Sequence, residues 1–263
     1  MLGHLLVDYY LSRGYEVAGI IEEDCDINQT DLWIRIDSEK PDIIINSYRL
    51  VIEPCEADPN RAMYINSFIP KYLGWRYQDS PVRIIHLSTD CVFSGKKGDY
   101  SVADIPDGRS IYSLTKYSGE LHNSKDLTIR TSYLGPNLAD KNEELFDWLL
   151  AQSGEVNGYT NAFWNGVTTL ELAKTIEHAI KKNISGLYHL GSETKLSKYE
   201  LLSIIKNKYS LDHIKINTVN NDLIDRYLID NRKELSISDY DTMFEELHVY
   251  MQANRELYNH YRF

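Results

Sequence analysis

The sequence has few cysteines and no long apolar run. Its 263 residues include three cysteines, Cys25, Cys55 and Cys91, an odd number with no CxxC spacing. We therefore expect no disulfide framework and no zinc or other metal site, and we expect a reducing, cytoplasmic location. No apolar stretch approaches the roughly 18 to 20 residues that cross a bilayer, so we expect no membrane partner.

Basic residues are also fewer than acidic residues. The chain has 28 Lys and Arg against 39 Asp and Glu, and its formal net charge is -11 at pH 7. A nucleic-acid-binding protein needs a basic face that neutralises phosphates, so this balance argues against a nucleic-acid partner. A nucleotide ligand stays compatible with the charge, because a helix N-terminus and a few local donors can hold a pyrophosphate.

Short, mostly apolar runs alternate with longer amphipathic stretches in the first half of the chain. The runs lie near residues 16–21, 42–45, 83–87 and 127–130, and helical patterns lie near residues 5–12, 30–37, 59–74 and 112–121. Strands that are apolar throughout are typical of a parallel sheet that is buried on both faces. The alternation predicts an α/β fold with a Rossmann-like, doubly wound parallel sheet and right-handed crossovers.

The pattern changes after about residue 134. Helical patterns near residues 142–153, 169–182, 197–209 and 240–256 accompany one short strand at 187–190. Ser197 and Glu200 match a capping box at the start of the third of these helices. We therefore expect a dinucleotide-binding domain over residues 1–134, and over residues 135–263 mainly a smaller C-terminal substrate-binding lobe that forms one wall of a cleft.

Polar residues that could bind a ligand or take part in a reaction follow the third predicted strand. Residues 83–87 lead into Ser88, Thr89 and Asp90, so these side chains emerge at the carboxyl end of a strand, where open α/β sheets bind ligands. Tyr112 and Lys116 are four residues apart and share a helix face. A lysine there can stabilise the phenolate, and such a tyrosine can pass a proton to a carbonyl oxygen as hydride arrives at carbon. A Thr89 hydroxyl would hold the same oxygen.

The segment STDCVFSGKKGDY…YSLTKYSGE resembles the dTDP-4-dehydrorhamnose reductase (RmlD-like) family of extended short-chain dehydrogenases. The resemblance continues through IDSEKPDIIINS, CEADPNRAMYIN, NGYTNAFWNGVTTLELAK and GLYHLGSETKLSKYELL. It implies NAD(P)H-dependent reduction of the 4-keto group of a nucleotide-linked 4-keto-6-deoxy sugar in surface-polysaccharide synthesis. It also implies a catalytic triad, in which Tyr112 is the acid, Lys116 binds the nicotinamide ribose and tunes Tyr112, and Thr89 orients the substrate.

The residues after Thr89 discriminate between related reactions. Sugar-nucleotide dehydratases that resemble this family carry an Asp-Glu pair there, and the related epimerases carry a run of small residues. Asp90 and Cys91 match neither pattern, which favours a reductase. Two alternatives stay open: a nucleotide-sugar epimerase or dehydratase, and a non-catalytic regulatory subunit on the same fold, as in the β subunit of methionine adenosyltransferase.

The cofactor side rests on the resemblance. Family members open with a strand and a G-x-x-G-x-x-G loop, whereas this chain begins at Met1-Leu2-Gly3-His4, which matches the last part of that loop. Three explanations are open: further residues upstream, a first strand supplied in another way, or an inactive relative. The residues implied to contact the cofactor are Leu2, Gly3, Asp26, Ile27, Asn46, Ser47, Tyr48, Asn66, Ser88, Tyr112 and Lys116. We expect NADP as NADPH, although the stretch EEDCD has no basic residue for a 2′-phosphate, so NAD stays an alternative.

The substrate side is less well defined by the sequence. The candidate residues are Thr89, Asp90, Cys91, Trp164, Asn165 and Arg232, and Arg49 and Arg130 are further cations that would line the cleft or meet a diphosphate. A Trp that only packs the lobe is the alternative interpretation of Trp164, and a passive small hydrophobe is the expected role of Cys91. The expected partner is a dTDP- or UDP-linked sugar, and the expected assembly beyond the monomer is a homodimer.

Overall fold

The computed structural model describes residues 1–21, 30–138, 144–230 and 232–261. Its helices are α1 (Leu2–Ser12), α2 (Asp31–Ser38), α3 (Ile52–Ala57), α4 (Pro59–Ala62), α5 (Ile69–Arg76), α6 (Ile111–Gly119), α7 (Leu145–Leu150), α8 (Thr169–Lys181), α9 (Lys198–Lys208) and α10 (Tyr240–Ala253). Its strands are β1 (Ile43–Asn46), β2 (Arg83–Thr89), β3 (Leu127–Thr131), β4 (Tyr133–Leu134), β5 (Gly154–Tyr159), β6 (Ala162–Trp164), β7 (Val167–Thr168), β8 (Gly186–Leu190), β9 (Leu196–Ser197), β10 (Ile214–Val219) and β11 (Ile224–Asp225).

A four-stranded parallel sheet in the order β1-β2-β3-β8 forms the centre of the molecule. Successive side chains of β2 point to opposite faces of this sheet. Ile84 packs with Leu32 of α2 and Leu73 of α5, whereas Ile85 packs with Leu5 of α1 and the helices of the other face. Helices therefore cover both faces, and the predicted doubly wound α/β arrangement is confirmed.

The strand predicted at residues 16–21 is absent from the described residues of that range. This stretch lies outside regular secondary structure and is largely exposed, with only Val17 and Ile20 half-buried. In the described sheet β1 pairs with β2 alone, so residues 16–21 have no ladder partner. An apolar run forms a strand only where a neighbouring strand hydrogen-bonds with its backbone. The sequence pattern does not show whether such a neighbouring strand is present.

The helix predicted over residues 59–74 is continuous but irregular. Between α4 and α5 the chain forms a π-helical turn, Met63–Phe68, which contains Asn66 and Ser67. This turn packs against α6: the Ser67 hydroxyl donates to the Thr115 carbonyl oxygen at 2.7 Å. Gly119 permits the close approach, because a Cβ there would lie 2.0 Å from the Asn66 carbonyl oxygen. The π turn and α6 are thereby fixed to each other.

The second half of the chain packs on the sheet and also contributes to it. Strand β8 completes the parallel sheet beside β3, while β5 and β10 pair in parallel and β6 lies between β9 and β11. The predicted capping box of α9 is present between Ser197 and Glu200. Residues from both halves of the chain share one core, which includes Leu5, Leu172 and Phe244. No helix in the part of the chain that the structure describes is long and apolar enough to cross a membrane.

Candidate active site

Strand β2 delivers Thr89 to its carboxyl end, as the sequence predicts. A short 3-10 turn, Asp90–Val92, follows directly, and the Thr89 hydroxyl caps it by accepting a hydrogen bond from the Cys91 backbone N–H at 3.1 Å. The same hydroxyl donates to Asp90 Oδ1 at 3.2 Å and lies close enough to the Tyr112 phenol to lower its pKa. The strand end and its turn therefore hold the Thr89 side chain beside Tyr112.

Helix α6 carries Tyr112 and Lys116 on its inner face. Ser110 caps the helix by accepting from the Ser113 N–H at 3.1 Å, and the Ile111 N–H donates to Glu56 Oε1 at 3.0 Å, so two of the helix's first N–H groups are satisfied. Burial raises the pKa of the Tyr112 phenol, whereas the nearby positive charge of Arg49 and the hydrogen bond with Thr89 lower it. The phenol is therefore protonated at neutral pH, as a proton donor must be.

The Lys116 ammonium is almost fully buried and contacts the strand that precedes Thr89. Its Nζ donates to the Leu87 carbonyl oxygen at 2.6 Å. Burial and the positive charge of Arg49 lower the pKa of Lys116 to about 7, although the Glu120 carboxylate acts in the opposite direction. The structure thus brings Thr89, Tyr112 and Lys116 together around the carboxyl end of β2.

Asn46, Ser47 and Tyr48 lie at the carboxyl end of the neighbouring strand β1. The Asn46 amide contacts Nδ1 of the buried His86 at 3.2 Å. Gly3, in the first turn of α1, faces Ser47, since a Cβ on Gly3 would lie 3.9 Å from Ser47 Oγ. These predicted cofactor residues therefore share one edge of the sheet with the amino end of α1.

The other predicted cofactor residues divide into three groups. Leu2, the first residue of α1, is buried in the core. The Ser88 hydroxyl donates a hydrogen bond to Glu120 Oε1 at 2.7 Å. The Asn66 side chain accepts from the Leu50 N–H and donates to the Leu50 carbonyl oxygen and to Thr115 Oγ1. These bonds connect the loop after β1 to α6. Asp26 and Ile27 lie outside the residues that the structure describes.

Cys91 lies next to Tyr112, but its thiol is neutral and unreactive. Burial raises the pKa of its thiol to about 12, and the Asp90 carboxylate adds to this effect. Arg226, from the segment after β11, places Nη1 3.6 Å from Cys91 Sγ and donates from Nε to the Phe93 carbonyl oxygen at 2.9 Å. Lys198, the first residue of α9, also faces this turn, where burial lowers its pKa and Asp90 partly compensates.

Sequence reasoning missed Arg226 and Lys198. They come from segments more than a hundred residues beyond Thr89, and no spacing rule links them to it. The capping box marks the start of α9, but it does not indicate that Lys198 turns toward the 3-10 turn. Together they place two basic side chains beside the turn that follows Thr89.

Trp164, Asn165 and Arg232, which are predicted to contact the substrate, each have partners within the fold. Trp164 is buried, and its indole N–H donates to Ser132 Oγ at 2.8 Å, which matches the packing alternative. The Asn165 side chain donates to the Ser192 and Leu228 carbonyl oxygens and accepts from the Leu228 N–H, so its polar atoms are used within the fold.

Arg232 is not brought to the triad. Its guanidinium donates to the Leu187 carbonyl oxygen and lies 3.3 Å from the centroid of the Tyr188 ring, near the start of β8 and away from the carboxyl end of the sheet. Arg130 is likewise committed, because it forms a buried, two-pronged ion pair with Glu120 at 2.7 and 2.8 Å. Both guanidinium groups therefore have partners within the fold.

A model of the RmlD substrate binding domain matches residues 1–227 of the chain. The chain belongs to this family. It is 26% identical over 218 residues to the spore coat polysaccharide biosynthesis protein SpsK of Bacillus subtilis, a match that covers 80% of this chain and 77% of that protein. It is also 26% identical over 238 residues to a dTDP-4-keto-6-deoxy-D-glucose reductase of Streptomyces niveus, covering 85% and 81%.

The fold agrees with that of solved dTDP-4-dehydrorhamnose reductases. A crystal structure of dTDP-4-dehydrorhamnose reductase from Bacillus anthracis in complex with NADP superposes on the chain with a TM-score of 0.81 at 20% identity, and 95% of each chain is covered. The predicted family and the Rossmann-like fold are confirmed. The Streptomyces niveus relative is named as a reductase, which agrees with the class of activity predicted for this chain.

Proposed function

We propose that the protein is an NAD(P)H-dependent oxidoreductase that reduces the 4-keto group of a nucleotide-linked 4-keto-6-deoxy sugar for polysaccharide synthesis. The observation that carries the proposal is the meeting of the Thr89 hydroxyl and the Tyr112 phenol at the carboxyl end of β2, with Lys116 one helical turn beyond. A protonated phenol beside a second hydroxyl is suited to a carbonyl oxygen that gains negative charge. The family membership supports the same reaction.

Each residue of the triad has a distinct task in this reaction. Tyr112 donates its phenolic proton to the ketone oxygen, and Thr89 hydrogen-bonds the same oxygen and orients it. Lys116 holds the nicotinamide ribose, for which its ammonium would turn from the Leu87 carbonyl oxygen. The bound nicotinamide supplies the hydride that reduces the carbonyl carbon.

The amino end of α1 and the carboxyl end of β1 fit a dinucleotide. The first turn of α1 has no acidic side chain, and Gly3 faces Ser47 without a Cβ between them. Backbone N–H groups at such a helix end favour a pyrophosphate. Leu2, Gly3, Asn46, Ser47 and Tyr48 are therefore the proposed cofactor contacts.

We propose NADPH as the preferred cofactor, with NADH as the alternative. The support is the NADP bound in the structure of the Bacillus anthracis dTDP-4-dehydrorhamnose reductase. Titration of both reduced cofactors, followed by nicotinamide fluorescence, tests the preference directly. Tighter binding of NADH than of NADPH would reverse it.

Arg226 and Lys198 are proposed to receive the diphosphate of the sugar nucleotide. Both cations face the turn that follows Thr89, and a planar guanidinium matches phosphate oxygens well. The substrate would then lie between this turn and the proposed nicotinamide site. The nucleotide is dTDP or UDP, and competition by each free diphosphate against the keto sugar nucleotide distinguishes the two.

The experiment that tests the reaction is product analysis with a 4-keto-6-deoxy sugar nucleotide. A reductase oxidises one equivalent of reduced cofactor for each hydroxy sugar formed. An epimerase or dehydratase would change the sugar without net oxidation of the cofactor, and a regulatory subunit would change neither. Either of the last two results would overturn the proposal.

We further propose a homodimer that forms through the outer surface of α5 and α6. Exposed apolar side chains lie on these packed helices and on the π turn: Met63, Phe68, Trp75, Leu114 and Tyr117. Because a two-fold contact uses the same patch twice, a continuous apolar surface is suited to pairing. Light scattering of Phe68→Glu should show monomers, whereas Ile105→Glu, on an exposed loop, should leave the assembly unchanged; a wild-type monomer would refute the dimer.

A further inference from the structure

The C-terminal segment, residues 254–261, follows α10 and returns to the amino end of α1. Tyr258 of this segment is fully buried. Its hydroxyl lies 3.0 Å from His4 Nε2, and the two rings meet edge to face with their centroids 5.7 Å apart. His4 belongs to the first turn of α1, the turn in which Gly3 faces Ser47. The C-terminal segment therefore reaches the helix end at which the cofactor is proposed to bind.

A second tyrosine of the C-terminal segment bonds to the loop that follows β4. The Tyr261 hydroxyl accepts from the Asn137 N–H at 2.8 Å and donates to Asp147 Oδ1. The Asn137 side-chain amide donates to the other oxygen of the same carboxylate. Because β4 begins two residues after β3 ends, Asn137 belongs to the chain that leaves the carboxyl end of β3. The C-terminal segment thus connects this chain to the amino end of α1.

Tyr258 is itself held firmly. Its ring belongs to the main hydrophobic core, and the centroid of the Tyr250 ring lies 6.3 Å from it. Tyr250, in the last turn of α10, donates from its hydroxyl to Asp8 Oδ2, one helical turn beyond His4 along α1. Tyrosines from α10 and the C-terminal segment therefore hold α1 at two successive turns, and the contact with His4 is the one at the amino end.

The first turn of a helix is its least constrained part. The N–H groups there have no acceptors within the helix, and helix ends fray. A pyrophosphate that binds at this end needs those N–H groups to point in one direction. A hydrogen bond between a buried tyrosine and His4 restricts the turn before the ligand arrives. A site that is ordered in advance loses less conformational freedom when it binds.

The contact acts on the position of the turn and not on its charge. Burial lowers the pKa of the His4 imidazole to about 4, so the ring is neutral at neutral pH. A neutral ring attracts a pyrophosphate much less than a cation would. The imidazole nitrogen Nε2 is also engaged by Tyr258.

We propose that Tyr258 is a positioning residue for the cofactor: by hydrogen-bonding to His4 it fixes the first turn of α1, whose N–H groups receive the pyrophosphate. The inference rests on the proposed cofactor site. Because Tyr258 acts through His4, its hydroxyl does not need to touch the cofactor. Removing that hydroxyl should weaken cofactor binding and leave the proton transfer from Tyr112 unchanged.

The first test is the affinity of Tyr258→Phe for NADPH, measured by nicotinamide fluorescence. We expect the Kd to rise about 3- to 10-fold, the effect of losing one ordinary hydrogen bond. Tyr9→Phe is the matched control. It also removes a buried tyrosine bond of 3.0 Å, the bond from Tyr9 to Glu177, but near the other end of α1. Tyr9→Phe should destabilise the fold to a similar extent and leave the NADPH affinity unchanged.

Variants of His4 give a second test, which does not depend on the folding of Tyr258→Phe. His4→Leu should weaken NADPH binding about as much as Tyr258→Phe does. His4→Gln, whose amide can still bond to the Tyr258 hydroxyl, should keep most of the affinity. Since both single changes remove the same contact, the double variant Tyr258→Phe with His4→Leu should lose no more than either one. Additive losses would contradict an action of Tyr258 through His4.

Turnover separates positioning from a general loss of structure. Tyr258→Phe should raise the KM for NADPH and leave kcat nearly unchanged, whereas a displaced α6 would lower kcat. Equal NADPH affinity in wild type, Tyr258→Phe and His4→Leu would overturn the inference and leave the proposed cofactor site standing. A wild-type protein that binds neither NADPH nor NADH would overturn the cofactor site, and this inference with it.

Discussion

Gly119 lies directly against the Asn66 carbonyl oxygen, and this contact sets the position of the helix that carries Tyr112 and Lys116. A Cβ at Gly119 would lie 2.0 Å from that oxygen, and backbone on the π turn cannot easily move away. We predict that Gly119→Ala destabilises the fold by about 1–3 kcal/mol, the usual cost of overpacking, and lowers turnover by displacing α6. Urea denaturation measures the first effect.

Gly19→Ala is the matched control, because a Cβ there meets only the end of the Val7 side chain at 3.2 Å. It should change stability by less than about 0.5 kcal/mol, as surface substitutions do. Equal effects of the two substitutions would show that the contact with Asn66 does not constrain α6.

The buried pair of Glu120 and Arg130 forms a structural anchor under the site. Removing one partner leaves an uncompensated buried charge, so Arg130→Met should cost about 3–5 kcal/mol in the free energy of unfolding. The double change Glu120→Gln with Arg130→Met should cost less than the sum of the single changes. Lys215→Met, which breaks an exposed pair with Glu155, should lower the free energy of unfolding far less. Additive single effects at Glu120 and Arg130 would contradict the pairing.

The burial of Lys116 makes stability depend on pH. Its pKa is lowered in the folded state to about 7 from the ordinary value of 10.5, so between these values the unfolded chain binds more protons than the folded chain. The penalty for burying this charge is therefore full below about pH 7 and is relieved as the pH rises toward 10.5. We predict that Lys116→Met increases stability relative to wild type near neutral pH and that this difference shrinks as the pH rises.

Thermal denaturation at a series of pH values measures the effect, and Lys182→Met, an exposed lysine after α8, is the control. A stability difference between wild type and Lys116→Met that stays constant from neutral to alkaline pH would show that the ammonium is not buried as the structure places it. Turnover of Lys116→Met should be lost at every pH.

Cys91 should behave as a small apolar side chain despite its place beside the proposed acid. Its thiol has a pKa raised to about 12, so very little reactive thiolate is present at neutral pH. We predict that iodoacetamide alkylates Cys91 far more slowly than a free cysteine and that Cys91→Ala changes kcat by only a few fold. Fast alkylation mapped to Cys91 by mass spectrometry would contradict this.

The sequence predicted well those parts of the fold and site that depend on local pattern. Strand β2, helix α6 and the meeting of Thr89 with Tyr112 and Lys116 follow from an apolar run, a helical spacing and the rule that ligands bind at the carboxyl edge of the sheet. The prediction of a strand at residues 16–21 was wrong, because an apolar run does not show whether a neighbouring strand is present to pair with it.

The remaining site residues depend on contacts between distant segments. Arg226 and Lys198 reach the turn after Thr89 only through the packing of the second half of the chain, and Arg232 is held at β8 by Tyr188. The sequence suggested that Arg49 would line the cleft, but its ion pair with Glu144 and its contact with the Tyr133 ring join distant segments. Side-chain direction at such positions has no signature in spacing.

The central claim, that Tyr112 is the proton donor of a keto-sugar reductase, is tested most directly by Tyr112→Phe. This change removes one hydroxyl and keeps the ring that packs among Cys55 and Ala62. We predict that turnover of a 4-keto-6-deoxy sugar nucleotide is lost, while NADPH binds within a few fold of wild type by nicotinamide fluorescence. Turnover that survives unchanged in Tyr112→Phe would contradict the account.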